Sequence, residues 1–447
     1  MLNPLDTIRM RLASGPMAAR SMGEVLGVSQ PTVSRLLTSM GGELVRIGAA
    51  RSIQYALRDG VRGLPDITVY RIDAEGRVGL LGQLVPVRPD GFVMQSADGQ
   101  TLYSPGLPWW LLDMRPQGYL GRAHVARHAT VLGLPPRLGD WSDSHALRAL
   151  LAHGHDAVGN LLLGDAARNH FLSEPEPQAI AQIDKAARYA ELARTAALGE
   201  LPGSSAGGEQ PKFTAFAETG EGQRHVIVKF TEADAGPVAE RWADVLLVEH
   251  LALQTLGEAG VSATHTTWLD HGKQRFLEAE RFDRVGTMGR VGLFSLEALD
   301  AEFVGSGRGA WPELVRKLAA QRLVRQEAVP TADLLWAFGT LMGNTDMHNG
   351  NLSFAAGDAP PYALAPAYDM TPMAFAPRSG GGLPDTLSEA TLHPNVPHDT
   401  WRQALQLAQT FMAKLRQAEA FSPRFQPCVA ALERHLQVAS AKIGRLG

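Results

Sequence analysis

The stretch GNTDMHNGNLSF, Gly343 to Phe354, constrains this chain more than any other feature. It sets Asp346, His348, Asn349 and Asn351 directly after the apolar run LLWAFGTLM. Polar groups crowded against an apolar helix must be hydrogen-bonded or do chemical work. Two other apolar segments end on a single charge. HVIVKF carries Lys229, and ALAPAYDMTP carries Asp369. A charge at the end of an apolar segment needs a partner or a ligand, because burying it alone is costly.

These pieces match the working parts of phosphoryl transfer. Asp346 and Asn351 are five residues apart, the spacing of the catalytic aspartate and the metal-binding asparagine in the protein-kinase catalytic loop. Asp346 is read as the group that orients the attacking hydroxyl, and Asn351 and Asp369 as ligands of Mg²⁺. Lys229 is read as the lysine that neutralises the phosphates of ATP. Glu249, inside LLVEHLALQTLGEAG, is read as the helix glutamate that holds it, with Glu240 the nearest competitor. Taken singly, Lys229 also reads as an edge lysine whose stem covers apolar surface, and Glu249 as a solvated helix position. The loop SSAGGEQPK, Ser204 to Lys212, offers Gly207 and Gly208, where backbone amides approach phosphate oxygens without Cβ obstruction. It is neither a Walker A motif nor G-x-G-x-x-G, and alone it also reads as a linker. Among the histidines, His348 reads as structural. His124 and His128 lie four apart with no third ligand at motif spacing, and His153 and His155 read as a loop feature.

The first residues have a different character. Helical spacing predicts helices over about Pro4–Ala13 and Ala18–Leu26, and a third from the Ser29 cap, with Pro31 in its first turn, to about Met40. LVRIGAARSIQYAL alternates as a hairpin, or wing. A winged helix-turn-helix of this kind would turn Gln30, Thr32, Ser34 and Arg35 toward base edges, and the wing residues Arg46 and Arg51 toward phosphates. Through residue 60 there are seven arginines against four acids, in a chain whose net charge is −4. That contrast favours DNA contact. The alternative is a three-helix protein-interaction module. A homodimer would read a palindromic operator.

The expected divisions are 1–60 for the winged helix, 67–165 for an α+β module, 166–310 for a small lobe and 311–447 for a helical large lobe. The alternating strands ITVYRI, VGLLGQLV and GFVMQS define the second, and DGVRGLPD, residues 59–66, reads as a Gly/Pro-rich linker before it. Cys428 is the one cysteine, which excludes an internal disulfide and argues against a cysteine zinc site. No apolar run approaches the about 20 residues that span a bilayer, and the N-terminus has no signal-peptide core. A cytoplasmic protein without a membrane partner is expected.

In chain order, SAGGEQPK, VIVKF, VEHLALQTLGEAGV, LEAERFDR, GNTDMHNGNLSF and APAYDM resemble the HipA-like kinases of bacterial toxin–antitoxin systems, and within them the YjjJ-type subgroup with a fused helix-turn-helix. The resemblance runs from about residue 67 to the C-terminus. It implies an α+β, two-lobed, protein-kinase-like HipA fold with an N-terminal winged helix-turn-helix. It implies a serine/threonine kinase with ATP and Mg²⁺ as cofactors, Lys229 as the ATP lysine, Asp346 as the catalytic aspartate, and Asn351 and Asp369 as metal ligands. Glu280, Arg281 and Phe282 become the hinge that meets adenine. The phosphate-loop serine, Ser205 or its neighbour Ser204, becomes the autophosphorylation site that ejects the loop and silences the enzyme. The implied substrate is a protein, such as a translation factor or an aminoacyl-tRNA synthetase. Two features depart from the pattern: Glu209 stands where relatives carry a small or apolar residue, and DNA binding is fused rather than supplied by a separate antitoxin. Three rival readings remain: a DNA-binding regulator that only senses nucleotide, a small-molecule kinase, and a toxin acting on DNA.

Overall fold

The computed structural model describes residues 3–49, 52–198, 210–234, 236–357 and 359–446. The N-terminal unit runs α1 (Pro4–Leu12), β1 (Met17–Ala18), α2 (Ala19–Leu26), α3 (Gln30–Met40), β2 (Leu44–Ile47) and β3 (Gln54–Leu57). Asn3 caps α1, its side chain accepting from the amide of Leu5 at 3.1 Å. Gly27, at φ 62°, ends α2 in the left-handed conformation that glycine adopts without strain. Ile8, Leu12, Met22, Val33, Leu37 and Met40 form the core, at the helical spacing the sequence shows. The sheet order is β1–β3–β2. Strand β1 was not anticipated, because two residues are too few to show an alternation.

Segment 59–66 is not a loose linker. Asp59 is buried and pairs with Arg62. Arg62 also donates to the carbonyls of Val87 at 3.0 Å and Gly91 at 2.8 Å. Val45, Ile47 and Ala56 of the wing pack against Val85, Val87 and Val93, and the amide of Gly48 donates to Thr101 Oγ1 at 2.7 Å. Glycine and proline turn the chain here, while the arginine clamp and the shared apolar face dock the N-terminal unit on its neighbour.

That neighbour is a five-stranded antiparallel sheet, with β4 (Ile67–Ile72), β5 (Val78–Val87), β6 (Gly91–Ser96), β7 (Thr101–Ser104) and β8 (Leu161–Leu163) in the order β7–β6–β5–β4–β8. Helices α4 (Gly118–His128), α5 (Asp143–His153) and α6 (Gly164–Ser173) accompany it. Phe171 of α6 packs on Ile72 and Leu162, so α6 sits with this middle module rather than with the segment after residue 165.

The small lobe holds α7 (Lys185–Ala197), β9 (Lys212–Thr219), β10 (Gly222–Phe230), α8 (Pro237–Glu258), β11 (Thr266–His271) and β12 (Gln274–Glu280), with the short hairpin β13 (Arg284–Val285) and β14 (Gly289–Arg290) after it. Its antiparallel sheet has the order β11–β12–β10–β9. Phe213, Val226, Val228, Phe230 and Phe276 share one face with Tyr189 of α7. The large lobe combines β15 (Gly292–Ser295), α9 (Leu296–Leu299), α10 (Trp311–Ala320), α11 (Ala328–Leu341), β16 (Ser353–Ala356), β17 (Ala363–Leu364), α12 (His398–Gln417) and α13 (Gln426–Ile443). Trp311, Phe338, Trp401 and Phe411 centre its core, which α8 joins through Leu247 and Leu251. The result is a two-lobed α+β fold.

The middle module braces both lobes. Trp109 lies edge-on to Phe294 at 4.6 Å and to Phe303 at 5.2 Å. Asp113 accepts from the amide of Ser295 at 2.6 Å. On the other side, Arg284 Nη2 reaches Asp156 at 2.8 Å.

Candidate active site

Lys229 is the penultimate residue of β10, and the strand's alternation sends it to the face opposite the apolar residues Val228 and Phe230. There it is buried, and its Nζ donates to both carboxylate oxygens of Glu249, at 2.6 and 2.8 Å. Glu249 lies mid-way along α8 among buried neighbours, and is itself buried. Its second oxygen also accepts from Thr371 Oγ1 at 2.9 Å. Glu240, the competitor, points elsewhere and faces Arg424 at 3.3 Å. The same Lys229 ammonium also pairs with Asp369.

Burial by itself would discharge each of these groups. The opposed charges reverse this for two of them. Lys229 is held well above its ordinary value because Asp369 and Glu249 outweigh its desolvation. Asp369 is held below the usual carboxylate range, since Lys229, with Lys212, outweighs burial. For Glu249 burial wins over Lys229, and its carboxyl is pushed up. Asp369 itself has φ 52°, unusual for a residue other than glycine. Backbone held in that region is characteristic of sites over-determined by their surroundings.

The catalytic-loop segment is built on backbone contacts. Asn344 Oδ1 accepts from the amide of Asp346 at 2.9 Å, and Asn344 Nδ2 lies 3.4 Å from the carbonyl of Asp369. Asn351 Nδ2 donates to the carbonyl of Asp346 at 2.9 Å, which leaves its Oδ1 as a donor atom for a cation. His348 serves the loop's shape: its Nδ1 accepts from the amide of Gly350 at 3.1 Å, and its carbonyl accepts from Trp311 Nε1 at 3.2 Å. Tyr368 OH donates to the carbonyl of Gly350 at 2.7 Å, tying the Asp369 segment to the Asn351 loop. Asp346 is exposed, with its carboxyl raised above the usual range by partial burial first and by Asp369, against His348 and Lys229.

The structure thus brings Lys229, Glu249 and Asp369 into direct contact, with Asp346 and Asn351 on the adjoining loop. Of the expected hinge, Phe282 lies 5.6 Å from the ring of Tyr368, beside Asp369. The Glu280 carboxylate accepts from Thr219 Oγ1 at 2.7 Å, and its amide donates to the carbonyl of His265. Arg281 donates its amide to His225 and is bound to Asp283. Ser204, Ser205, Gly207, Gly208 and Glu209 lie outside the described residues, as does Arg51 of the wing. Gln30, Ser34, Arg35 and Arg46 are exposed along α3 and β2, while Thr32 is half-buried with its hydroxyl 3.0 Å from that of Ser29.

Reasoning from sequence missed Lys212. It is buried, stands directly across the ladder from Lys229, and its charge acts on Asp369. The signal was present in SSAGGEQPK, whose last residue opens β9. Nearby in the chain, Gln210 Nε2 is buried with no hydrogen-bond partner. The donor set suits the implied cofactors: a carboxylate and an amide oxygen fit a hard cation such as Mg²⁺, and two buried lysines with an unpaired amide suit polyphosphate.

Fold and site together define a class, the two-lobed kinase-like chains with an additional module braced against both lobes. The chain belongs to the HipA-like toxin family: residues 204–435 match the HipA-like C-terminal domain, and residues 64–172 match the YjjJ-like toxin, middle domain. It is 39% identical over 438 residues to Toxin YjjJ of Escherichia coli (strain K12), covering 98% of each chain. It also superposes, with TM-score 0.55 and 15% identity, on a chain of the Shewanella oneidensis MR-1 toxin–antitoxin system HipA, HipB and operator DNA complex, over 84% of this chain and 97% of that one. That likeness is one of fold. Among the described residues no helix is long and apolar enough to cross a membrane.

Proposed function

We propose that the chain is a protein serine/threonine kinase that uses Mg·ATP, controlled by autophosphorylation and coupled to a DNA-binding unit. The observation that carries this reading is the Lys229 ammonium held between Glu249 and Asp369. In kinases a lysine–glutamate pair and a metal-binding aspartate must both be in place for transfer. Lys229, with Lys212, binds and orients the phosphates, and Phe282 contributes to the adenine site. Asp346 accepts the proton of the attacking hydroxyl, and Asn351 and Asp369 hold Mg²⁺. When bound, that ion neutralises charge on the transferring phosphoryl group. Ser205, with Ser204 the alternative, is the proposed autophosphorylation site on the family resemblance. The substrate is proposed to be a protein of the translation machinery, also on that resemblance.

The test is label transfer from γ-labelled ATP to the full chain with Mg²⁺, for wild type and Ser205→Ala. Label on the wild type that is lost in Ser205→Ala supports the kinase and its control serine. No label on either, after phosphatase treatment and with added lysate, overturns the reading in favour of a regulator that senses nucleotide.

The DNA-binding part rests on the exposed residues Gln30, Ser34 and Arg35 of α3 and the exposed Arg46 of β2. The Shewanella oneidensis MR-1 complex of related fold includes operator DNA by name. Arg46→Ala is expected to weaken binding to the chain's own promoter fragment and to lower the log–log salt slope by about 1, read by fluorescence anisotropy. Equal binding and slope in wild type and variant would refute this placement of the phosphate contact.

A further inference from the structure

The middle module and the small lobe line a half-open cleft of about 940 Å³. Histidines 124, 128, 153, 155, 170 and 225 all reach its wall. Two stacked pairs stand out: His128 lies on His153 with ring centroids 3.8 Å apart, and His155 lies on His170 at 3.6 Å with the rings only 6° from parallel. The second pair has a carboxylate beside it. One nitrogen of each ring and a carboxylate oxygen of Glu174 all lie within 4.8 Å of one another.

Three separate local structures converge there. His155 belongs to the single turn Gly154–Asp156 after α5. His170 is in the last turn of α6, and Glu174, four residues on, is the residue that caps that helix, its amide donating to the carbonyl of His170 at 3.0 Å. The i,i+4 spacing places the two side chains on one face. The 14 residues between His155 and His170 include β8, and only the packing of α6 on the sheet closes that gap. This explains why His153 and His155 read in the sequence as a loop feature.

We propose that His155, His170 and Glu174 form a binding site for a divalent transition-metal ion of the Zn²⁺ type. Two imidazoles and a carboxylate are a borderline-soft donor set that suits this ion and leaves a fourth, open position. Bonds of about 2.0–2.2 Å to a tetrahedral ion bring ligand atoms to about 3.3–3.6 Å from each other. His170 and Glu174 are exposed, so rotation of their side chains supplies the contraction. His155 Nδ1 is buried without a hydrogen-bond partner. The charges around the site are mixed. Arg290 opposes a cation, donating to the carbonyl of His155 at 2.6 Å, while Glu174 and Asp156 favour one. The neighbouring His128–His153 pair has no such carboxylate among the described residues. A bound ion also immobilises the turn that presents Asp156 to Arg284, and so reaches the ionic cluster next to Phe282.

The experiment uses the full chain without affinity-tag histidines, stripped by chelator, titrated with Zn²⁺ by calorimetry and with Co²⁺ by absorbance. One ion per chain is expected, with binding weakened about tenfold or more in His170→Ala and in Glu174→Gln. Binding should persist in Asp369→Asn, which removes a proposed Mg²⁺ ligand, so failure here is distinct from failure of the kinase reading. Both test positions are exposed, and unchanged unfolding midpoints confirm that the variants are folded. Absence of stoichiometric binding, or binding that survives His170→Ala and falls instead in His128→Ala or Asp369→Asn, overturns the assignment.

Discussion

Phosphoryl transfer from Mg·ATP is expected to fall by about 10²–10⁴-fold in Asp346→Ala, while stability stays within about 0.5 kcal/mol of wild type. The two halves of this expectation have separate causes. The loop around Asp346 is held by main-chain contacts, with its amide on Asn344 and its carbonyl on Asn351. Both survive removal of the side chain. The carboxylate itself is exposed, so deleting it opens no cavity. In the proposed reaction its value lies in its placement and in a carboxyl that burial pushes above the usual range, which brings a general base closer to its working pH. Transfer is read with labelled ATP, and stability from a denaturant midpoint. Turnover equal to wild type would remove Asp346 from the mechanism. A large loss of stability would mean that the side chain serves the fold.

The second large effect is structural. Asp283→Ala is expected to cost about 3–5 kcal/mol, because it removes the buried counter-charge that Arg281 and Arg284 share and leaves Asp156 to face both. Arg281 Nη2 lies 2.9 Å and Arg284 Nη1 2.6 Å from the Asp283 carboxylate, and the amide of Gly159 donates to it at 3.2 Å. All three ionic side chains are nearly inaccessible, at 3% for each arginine and 7% for the aspartate. Arg77→Ala is the comparison. Its ion pair with Asp73 is exposed, at 75% and 38%, and such pairs contribute about 0–1 kcal/mol. The pH dependence follows from the sign of the shift. Burial raises the Asp283 carboxyl, but Arg281 and Arg284 outweigh it and hold it far below the ordinary range. The unfolded chain then takes up this proton first as pH falls. The contribution of Asp283 is therefore complete above about pH 4 and is lost in stronger acid. The deficit of Asp283→Ala, measured by denaturation midpoint, should shrink as pH drops below about 4. A deficit of less than about 1 kcal/mol at neutral pH would show that the arginines find other partners, Asp156 foremost.

This cluster also shows how the parts are coupled. Arg284 joins Asp283, which flanks Phe282, to Asp156 of the middle module. The family resemblance pointed to a hinge at residues 280–282. Within that segment the side chains have different partners: Phe282 faces Tyr368, Glu280 binds Thr219 at the end of β9, and Arg281 joins the ionic cluster.

What the sequence determined by itself was local. Asp346, Asn344 and Asn351 sit within one loop, and short-range hydrogen bonds need no distant partner. The helical period of the first 40 residues places Ile8, Leu12, Val33 and Leu37 on a shared core. Lys229 at the end of an apolar strand and Glu249 inside an apolar helix were legible as a pair, because burying either charge alone is too costly. The tertiary structure decided everything that depends on non-local contact. Lys212 joins the site only through its register opposite Lys229. Segment 59–66 becomes a clamp only because Arg62 meets the carbonyls of Val87 and Gly91, far along the chain. His155, His170 and Glu174 meet only because α6 folds back on the sheet of the middle module. Composition and period report which face a residue turns inward; they carry no record of which other face it will meet, and that is settled by packing alone.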